Sequence, residues 1–349
     1  MTTTTISAAA LLEKAEELLA ARELRPALQM FQSAETYGAD ADRCAARRWI
    51  AHMLRGDFPA AWRESDAIGA RGAGGSNSLW RGEDLAGKRV VVRCLHGFGD
   101  AVQLLRYAPR LNAVAAEVIW EVPPALLELA LFFTGVERAI TWGTGQAPPE
   151  LDVQIEVMEL PWIFRTDIAE LPIARNYLRV PRELMATAAA EMAPRIAPRV
   201  GLVWGAGEWN PSRSVPLSLF RGMMRTEECE FWNLQGGTAR ELERCGKLRE
   251  SRSCNSGIAA LAAVIAQLDL VITVDTLAAH LAGAMGKPVW LMLQYQADWR
   301  WMVNRSNSPW YSSMRLFRQK RADEWGAVVD SVDEALNEWL SYEAGSIAA

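Results

Sequence analysis

The stretch DLVITVDTLAAHLAGAMGKPVWLML, Asp269–Leu293, decides how this chain is read. Leu270 to Val274 is a short apolar run that reads as a strand ending at Asp275. Asp275 and Thr276 follow, and both are favourable residue types for starting a helix. The helix they start carries His280 on its second turn and stops at Gly286 and Pro288, after which a second apolar strand begins. A strand that turns directly into a helix presents free backbone N–H groups and the positive end of the helix dipole. That is an anion site, and a phosphate suits it. Asp275 can accept from a hydroxyl there, Thr276 and the amides after it can hold a phosphate, and His280 is either a donor to that group or a buried structural histidine.

Working outward, the same alternation covers most of the chain. KRVVVRCL, EVIWEV, VERAITW and LDVQIEV read as strands; GDAVQLLRYAPRLNA and PPALLELALFF between them read as helices. The pattern restarts after RELMATAAAEMAPRIAP, with RVGLVWG (strand), VPLSLFRGMMR (helix), EFWNLQ (strand) and GIAALAAVIAQL (helix). DEWGAVVDSVDEALNEWLSYE closes it as a long amphipathic helix. Strands alternating with helices predict parallel sheets with helices on both faces. Two successive open α/β domains are expected, over 76–195 and 196–349, with ligands at the carboxyl ends of the strands.

Residues 1–75 are read differently, as an all-helical module. Pro26-Ala27 matches Pro59-Ala60, and Ala34 matches Ala67, an offset near the period of tetratricopeptide repeats. Two helical hairpins fit. Asp40-Ala-Asp42 is read as a helix cap and not as a metal pair. RGAGGSNS, 71–78, is read as a Gly/Ser-rich linker.

Bulk properties narrow the function classes. The chain has 349 residues, a formal net charge of -5 and 23% charged residues, which gives no basic face for nucleic acid or anionic membrane. Five scattered cysteines, never spaced C-x-x-C, fit reduced thiols. The N-terminal MTTTTISAAALLEK lacks a basic segment followed by an apolar core, so a cytoplasmic protein without a secretory leader or membrane span is expected. Fifteen tryptophans, six of them late (Trp290, Trp299, Trp301, Trp310, Trp325 and Trp339), serve either packing or an aromatic wall beside a ligand ring.

Three further strand ends carry candidate chemistry. In LHGFGDAVQLLRY, Gly97 and Gly99 leave amides open to a ligand, and Asp100 is either a helix cap or a general base. His96 is a second candidate base. In VWGAGEWNPSRSVPL, Trp204 and Gly205 end a strand, and Arg213 with Ser214 offers a fork of donors and a hydroxyl suited to a diphosphate; a surface ion pair is the other reading of Arg213. Gln235, at the end of FWNLQ, can read a base edge or a ribose. No G-x-G-x-x-G with a later ribose-binding acid occurs, which disfavours a nicotinamide enzyme.

Taken in order, WRGEDLAGKRVVVRCLHGFGDAVQLLRYAP, RVGLVWGAGEWNPSRSVPL, WNLQ, DLVITVDTLAAHLAGAMGKPVWLML, DWRWM and SPWYSSMRLFRQ resemble the bacterial tetratricopeptide-containing glycosyltransferases related to the lipopolysaccharide heptosyltransferases. The resemblance implies a GT-B fold: two Rossmann-like domains with the last helix crossing back to the first. It implies a nucleotide-diphosphate sugar as donor, a protein or glycan acceptor, no metal or other cofactor, and inverting transfer. Asp100 matches the base of that family, and Asp275, Thr276 and His280 match its donor-diphosphate contacts. Leu277 departs from the usual glycine, and His96 from the usual glutamine. A non-catalytic scaffold of the same fold, binding partners through its helices, is the alternative.

Overall fold

The computed structural model describes residues 7–71, 79–142, 151–171, 176–208, 210–235 and 248–347. The 71–78 linker beyond its first residue, Trp209, Gly236, Gly237 and Cys245 lie outside them. The chain forms two compact units.

The first unit comprises residues 1–83, 159–171 and 296–305. It holds four consecutive helices, α1 (Ala8–Ala20), α2 (Leu24–Thr36), α3 (Ala41–Arg55) and α4 (Phe58–Arg71). Their apolar spacing builds a core around Ala15, Leu19, Ala27, Phe31, Ala51 and Leu54. The matched alanines of the Pro-Ala pairs, Ala27 and Ala60, are both buried. Asp40 caps α3 by accepting from the Arg43 N–H at 2.6 Å, and Gly56 ends that helix in the left-handed region, φ 74°. Arg48 of α3 is buried and pairs with Glu35 of α2 and Glu64 of α4, which ties three helices together. Trp299 and Trp49 meet edge to face, ring centroids 5.2 Å apart.

The second unit contains two parallel sheets. The first has the order β3-β2-β1-β4, with β1 Arg89–Arg93, β2 Glu117–Val122, β3 Arg138–Thr141 and β4 Val153–Glu156. The second has the order β6-β5-β7-β8-β9, with β5 Arg199–Val203, β6 Glu230–Asn233, β7 Leu270–Val274, β8 Val289–Leu293 and β9 Met314–Arg318. Every residue of β5, β6, β7 and β8 is buried. That is why β7 and β8 read as nearly continuous apolar runs instead of alternating ones. A Cβ on Gly201 in β5 would stand 2.5 Å from Leu268 and 2.6 Å from Leu234, so only glycine fits between them.

Three expected helices are shorter or tighter than their sequences imply. GDAVQLLRYAPRLNA gives α5 (Phe98–Leu104), then a 3-10 turn and a separate Ala108–Asn112 helix. Pro109 lacks the N–H that would continue α5 and instead sits in the first turn of the new helix. VPLSLFRGMMR forms two 3-10 turns, Leu217–Arg221 and Met223–Arg225, with Gly222 between them. PPALLELALFF forms a 3-10 turn and a four-residue helix, Leu127–Ala130.

Candidate functional site

The strand orders fix where loops can form a crevice. In the first sheet β1 lies between β2 and β4, so the chain runs from β1 outward through β2 to β3 and then returns to β4 on the other side of β1. In the second sheet β5 lies between β6 and β7 in the same way. Each such reversal opens a crevice at the carboxyl ends of the two strands. The residues singled out from the sequence follow these strands: His96, Gly97, Gly99 and Asp100 after β1, Trp204 and Gly205 after β5, Gln235 after β6, and Asp275 and Thr276 after β7.

At the first reversal, exposed His96 points its Nε2 to within 3.8 Å of Oε2 of Glu156, which ends β4. Glu156 was not among the residues read from the sequence. Gly97 caps α5, and its N–H donates to Oδ2 of Asp100 at 3.0 Å. Asp100 is half-buried and sits in the first turn of α5, where the helix dipole favours a negative charge. It is therefore a capping residue by geometry. A carboxylate has further acceptor positions beyond that one bond, so capping and base chemistry are compatible.

At the second reversal the loops are tied to one another. The Gln235 amide grips Gly205 from both sides: Oε1 accepts the Gly205 N–H at 2.6 Å and the Trp204 N–H at 3.2 Å, while Nε2 donates to the Gly205 carbonyl at 3.1 Å. Ser214 Oγ accepts the Ala206 N–H at 3.0 Å. Trp204 is buried, and its carbonyl accepts from Val215. Thus Gln235 and Ser214 shape the loop with the same groups that the sequence reading assigned to a ligand. Arg213 reaches across to the β7 end. Its Nη1 lies 3.5 Å from Oδ2 of Asp275 and donates to the Asp275 carbonyl at 3.3 Å. Both side chains are largely buried, so the ion pair Arg213–Asp275 links the β5 loop to the end of β7 and is not a surface contact.

Thr276 is the N-cap of the Leu277–Ala284 helix in extended backbone geometry, φ -144°. Its hydroxyl lies 3.3 Å from the Thr273 hydroxyl, which itself donates to the Val274 carbonyl. The first turn of this helix closes with the Ala279 N–H on the Thr276 carbonyl. The amides of Leu277 and Ala278 precede that bond, at the positive end of the helix.

The two halves meet through this helix. A Cβ placed on Gly99 would stand 2.7 Å from Cδ2 and 3.1 Å from Nε2 of His280. Bare backbone at Gly99 thus lets α5 approach the imidazole directly. His280 is buried, and its Nδ1 lies 2.8 Å from the Tyr311 hydroxyl. Behind it, the buried Arg106 guanidinium stacks on Tyr311 and Tyr177, 4.8 and 4.9 Å from their centroids. It donates to the Gln103 and Trp310 carbonyls and to the Tyr177 hydroxyl. Burial holds the Tyr311 phenol well above its ordinary titration range, with the neighbouring Tyr177 adding to it and Arg106 opposing it. Arg106, Tyr177 and Tyr311 were also missed in the sequence. The one local signal was a cation inside the run AVQLLRYA, all of which is buried.

Of the late tryptophans, Trp290, Trp301, Trp310 and Trp325 are buried core residues. Among the described residues, Cys44, Cys94, Cys229 and Cys254 are free thiols. No group of three or more His, Cys, Asp or Glu side chains there is arranged to hold a metal ion. No described helix is long and apolar enough to cross a membrane.

No protein-family profile matches the chain. It is 25% identical over 301 residues to the protein FlbA of Caulobacter vibrioides, a match that takes in 75% of this chain and 48% of FlbA. The chain therefore spans about half the length of that curated relative. Among solved structures, a glycosyl transferase family 9 protein from Veillonella parvula superposes with a TM-score of 0.52 at 13% identity, over 75% of this chain and all of the other. The E. coli ADP-heptose lipopolysaccharide heptosyltransferase II superposes with a TM-score of 0.51 at 12% identity, over 73% and 99%. At these identities the likeness is one of fold: mixed α/β with parallel sheets.

Proposed function

We propose that this chain is a glycosyltransferase that moves a sugar from a nucleotide-diphosphate donor to an acceptor hydroxyl. The observation that carries the reading is the contact of Gly99 with His280, which sets the Asp100 loop against the helix that starts at Thr276. A base-bearing loop and an anion-binding helix end then face one reaction. The likeness in fold to heptosyltransferases supports the same class.

In this reading 76–195 forms the acceptor-side domain and 196–349 the donor-side domain of a GT-B enzyme, and the helical module is tetratricopeptide-like and docks a protein or glycan acceptor. The donor diphosphate lies at Thr276 and the amides after it, beside Arg213. Asp100 takes the proton from the acceptor hydroxyl as that oxygen attacks the anomeric carbon. The bond from that carbon to the diphosphate oxygen breaks on the opposite side, so configuration inverts. Arg213 and the helix end stabilise the charge that develops on the leaving diphosphate, and a metal ion is not required for that task. Gln235 and Ser214 act on the donor indirectly, by fixing the loop at Gly205.

Calorimetry with ADP, UDP and GDP, followed by a screen of the matching sugar nucleotides for slow donor hydrolysis, tests this. Binding of one diphosphate together with hydrolysis of its sugar is the expected result. A second reading, a scaffold that retains the fold without transfer, is favoured by the side chains of Gln235 and Ser214 being bonded to their own loop. Absence of binding across the panel would select it.

A further inference from the structure

Two glycines and two rings form one assembly around His280. Gly99 of α5 lies against the His280 imidazole, and Gly283, one turn beyond His280, lies against the Tyr311 ring, where a Cβ would stand 2.5 Å from Cδ1. Each bare backbone admits one ring. Tyr311 is wedged between the imidazole, which it meets edge to face with centroids 5.8 Å apart, and the Arg106 guanidinium. Arg106 cannot yield: its fork is held by two backbone carbonyls and the Tyr177 hydroxyl, and Tyr177 in turn donates to the Val102 carbonyl of α5. The Arg106 guanidinium is held by these carbonyls, the Tyr177 hydroxyl and the rings of Tyr177, Trp310 and Tyr311. The phenol is buried and keeps its proton through the physiological range, so it offers a neutral hydroxyl at a fixed place.

We propose that Tyr311 is a positioning residue for His280: its hydroxyl occupies Nδ1 and thereby sets the Nε2 edge of the ring against α5 at Gly99, the residue before Asp100. An imidazole has two nitrogens, and the bond made by one decides the tautomer and direction of the other. With Nδ1 taken at 2.8 Å, the edge of the ring that carries Nε2 is the one that lies against Gly99. The consequence for donor binding rests on the glycosyltransferase reading. The orientation of the ring does not.

The test uses the full-length protein labelled with nitrogen-15. It has three histidines, His52, His96 and His280, so ring-nitrogen spectra are simple, and His52→Gln and His280→Gln complete the assignment. Wild type is expected to show His280 as one fixed ring form with a strongly bonded Nδ1. Tyr311→Phe keeps the ring and removes the hydroxyl. It should move the His280 Nδ1 resonance and leave those of His52 and His96 in place. Unchanged His280 nitrogens in Tyr311→Phe, or a wild-type His280 that already averages its two tautomers like a free imidazole, overturns the proposal. Affinity for the nucleoside diphosphate that binds in calorimetry is the second readout. Tyr311→Phe should weaken it about tenfold in wild type and have no further effect in His280→Gln, since the two act as one unit. Additive losses instead would show that Tyr311 acts only on packing. If no diphosphate binds at all, the glycosyltransferase reading fails while the spectra still decide the orientation of His280.

Discussion

Gly99 and His280 stand so close that a single methyl group on the glycine would lie 2.7 Å from the imidazole carbon Cδ2. They are the point at which the glycine loop after β1 meets the helix after β7, and Asp100 is the next residue. Gly99→Ala is expected to push α5 off that helix. Overpacking of this kind costs about 1–3 kcal/mol, read as a lower urea midpoint, and transfer should fall further than the stability loss explains. A variant with wild-type stability and turnover would mean that this contact does not set the loop.

Asp100 combines a cap with the proposed base, and two substitutions separate them. Asp100→Asn keeps an oxygen for the Gly97 N–H, so melting should change little while turnover drops about 10²–10⁴-fold. Asp100→Ala loses the cap as well, at a further cost of about 0.5–1.5 kcal/mol. Diphosphate affinity should stay near wild type in both. Near-full turnover of Asp100→Asn would move the base elsewhere, with His96 beside Glu156 the next residue to examine.

Gln235 holds both the N–H and the carbonyl of Gly205. Gln235→Ala is expected to release that loop, costing about 1–3 kcal/mol if the amide is left unpaired and weakening all nucleoside diphosphates alike. Had Gln235 instead read a base edge, the same variant would change the preference among ADP, UDP and GDP at constant stability.

In the helical unit, burial lowers the titration point of His52 against the opposing pull of Asp57. The sign follows from proton uptake. Below the ordinary histidine value of about 6.5 the unfolded chain binds a proton that the folded one resists, so this residue's contribution is present above that pH and lost as pH falls. His52→Gln should flatten the acid side of the stability curve. Urea midpoints from about pH 7 down to 5 check it, and equal slopes in both proteins would place the acid sensitivity on other groups.

The fold class was legible in the sequence because it rests on local properties. Strands buried on both faces are mostly apolar along their length, and LVITV and VWLML are. Helix ends favour particular residue types, and Asp40 and Thr276 stand at the N-caps of their helices. The loops after β1, β5, β6 and β7 could therefore be marked in advance. Helix length was less legible, since Pro109 and Gly222 cut runs whose apolar spacing alone would have continued.

What each marked side chain touches was decided only by tertiary structure. The sequence placed Arg213 near a helix but not opposite Asp275, and it offered Gln235 to a ligand where the fold gives it to Gly205. It gave no sign that Arg106 would meet the carbonyl of Trp310, 204 residues away, or the hydroxyl of Tyr177, 71 residues away. The physical reason is range. Periodicity and capping act over one or two turns, and a chain read in order displays them. Strand order, and with it the reversals that gather the loops, depends on how buried surfaces fit across long separations. By itself the Asp269–Leu293 segment could specify a strand, a turn and a helix start. Only the packing of Gly99 on His280 brought Asp100 to that helix.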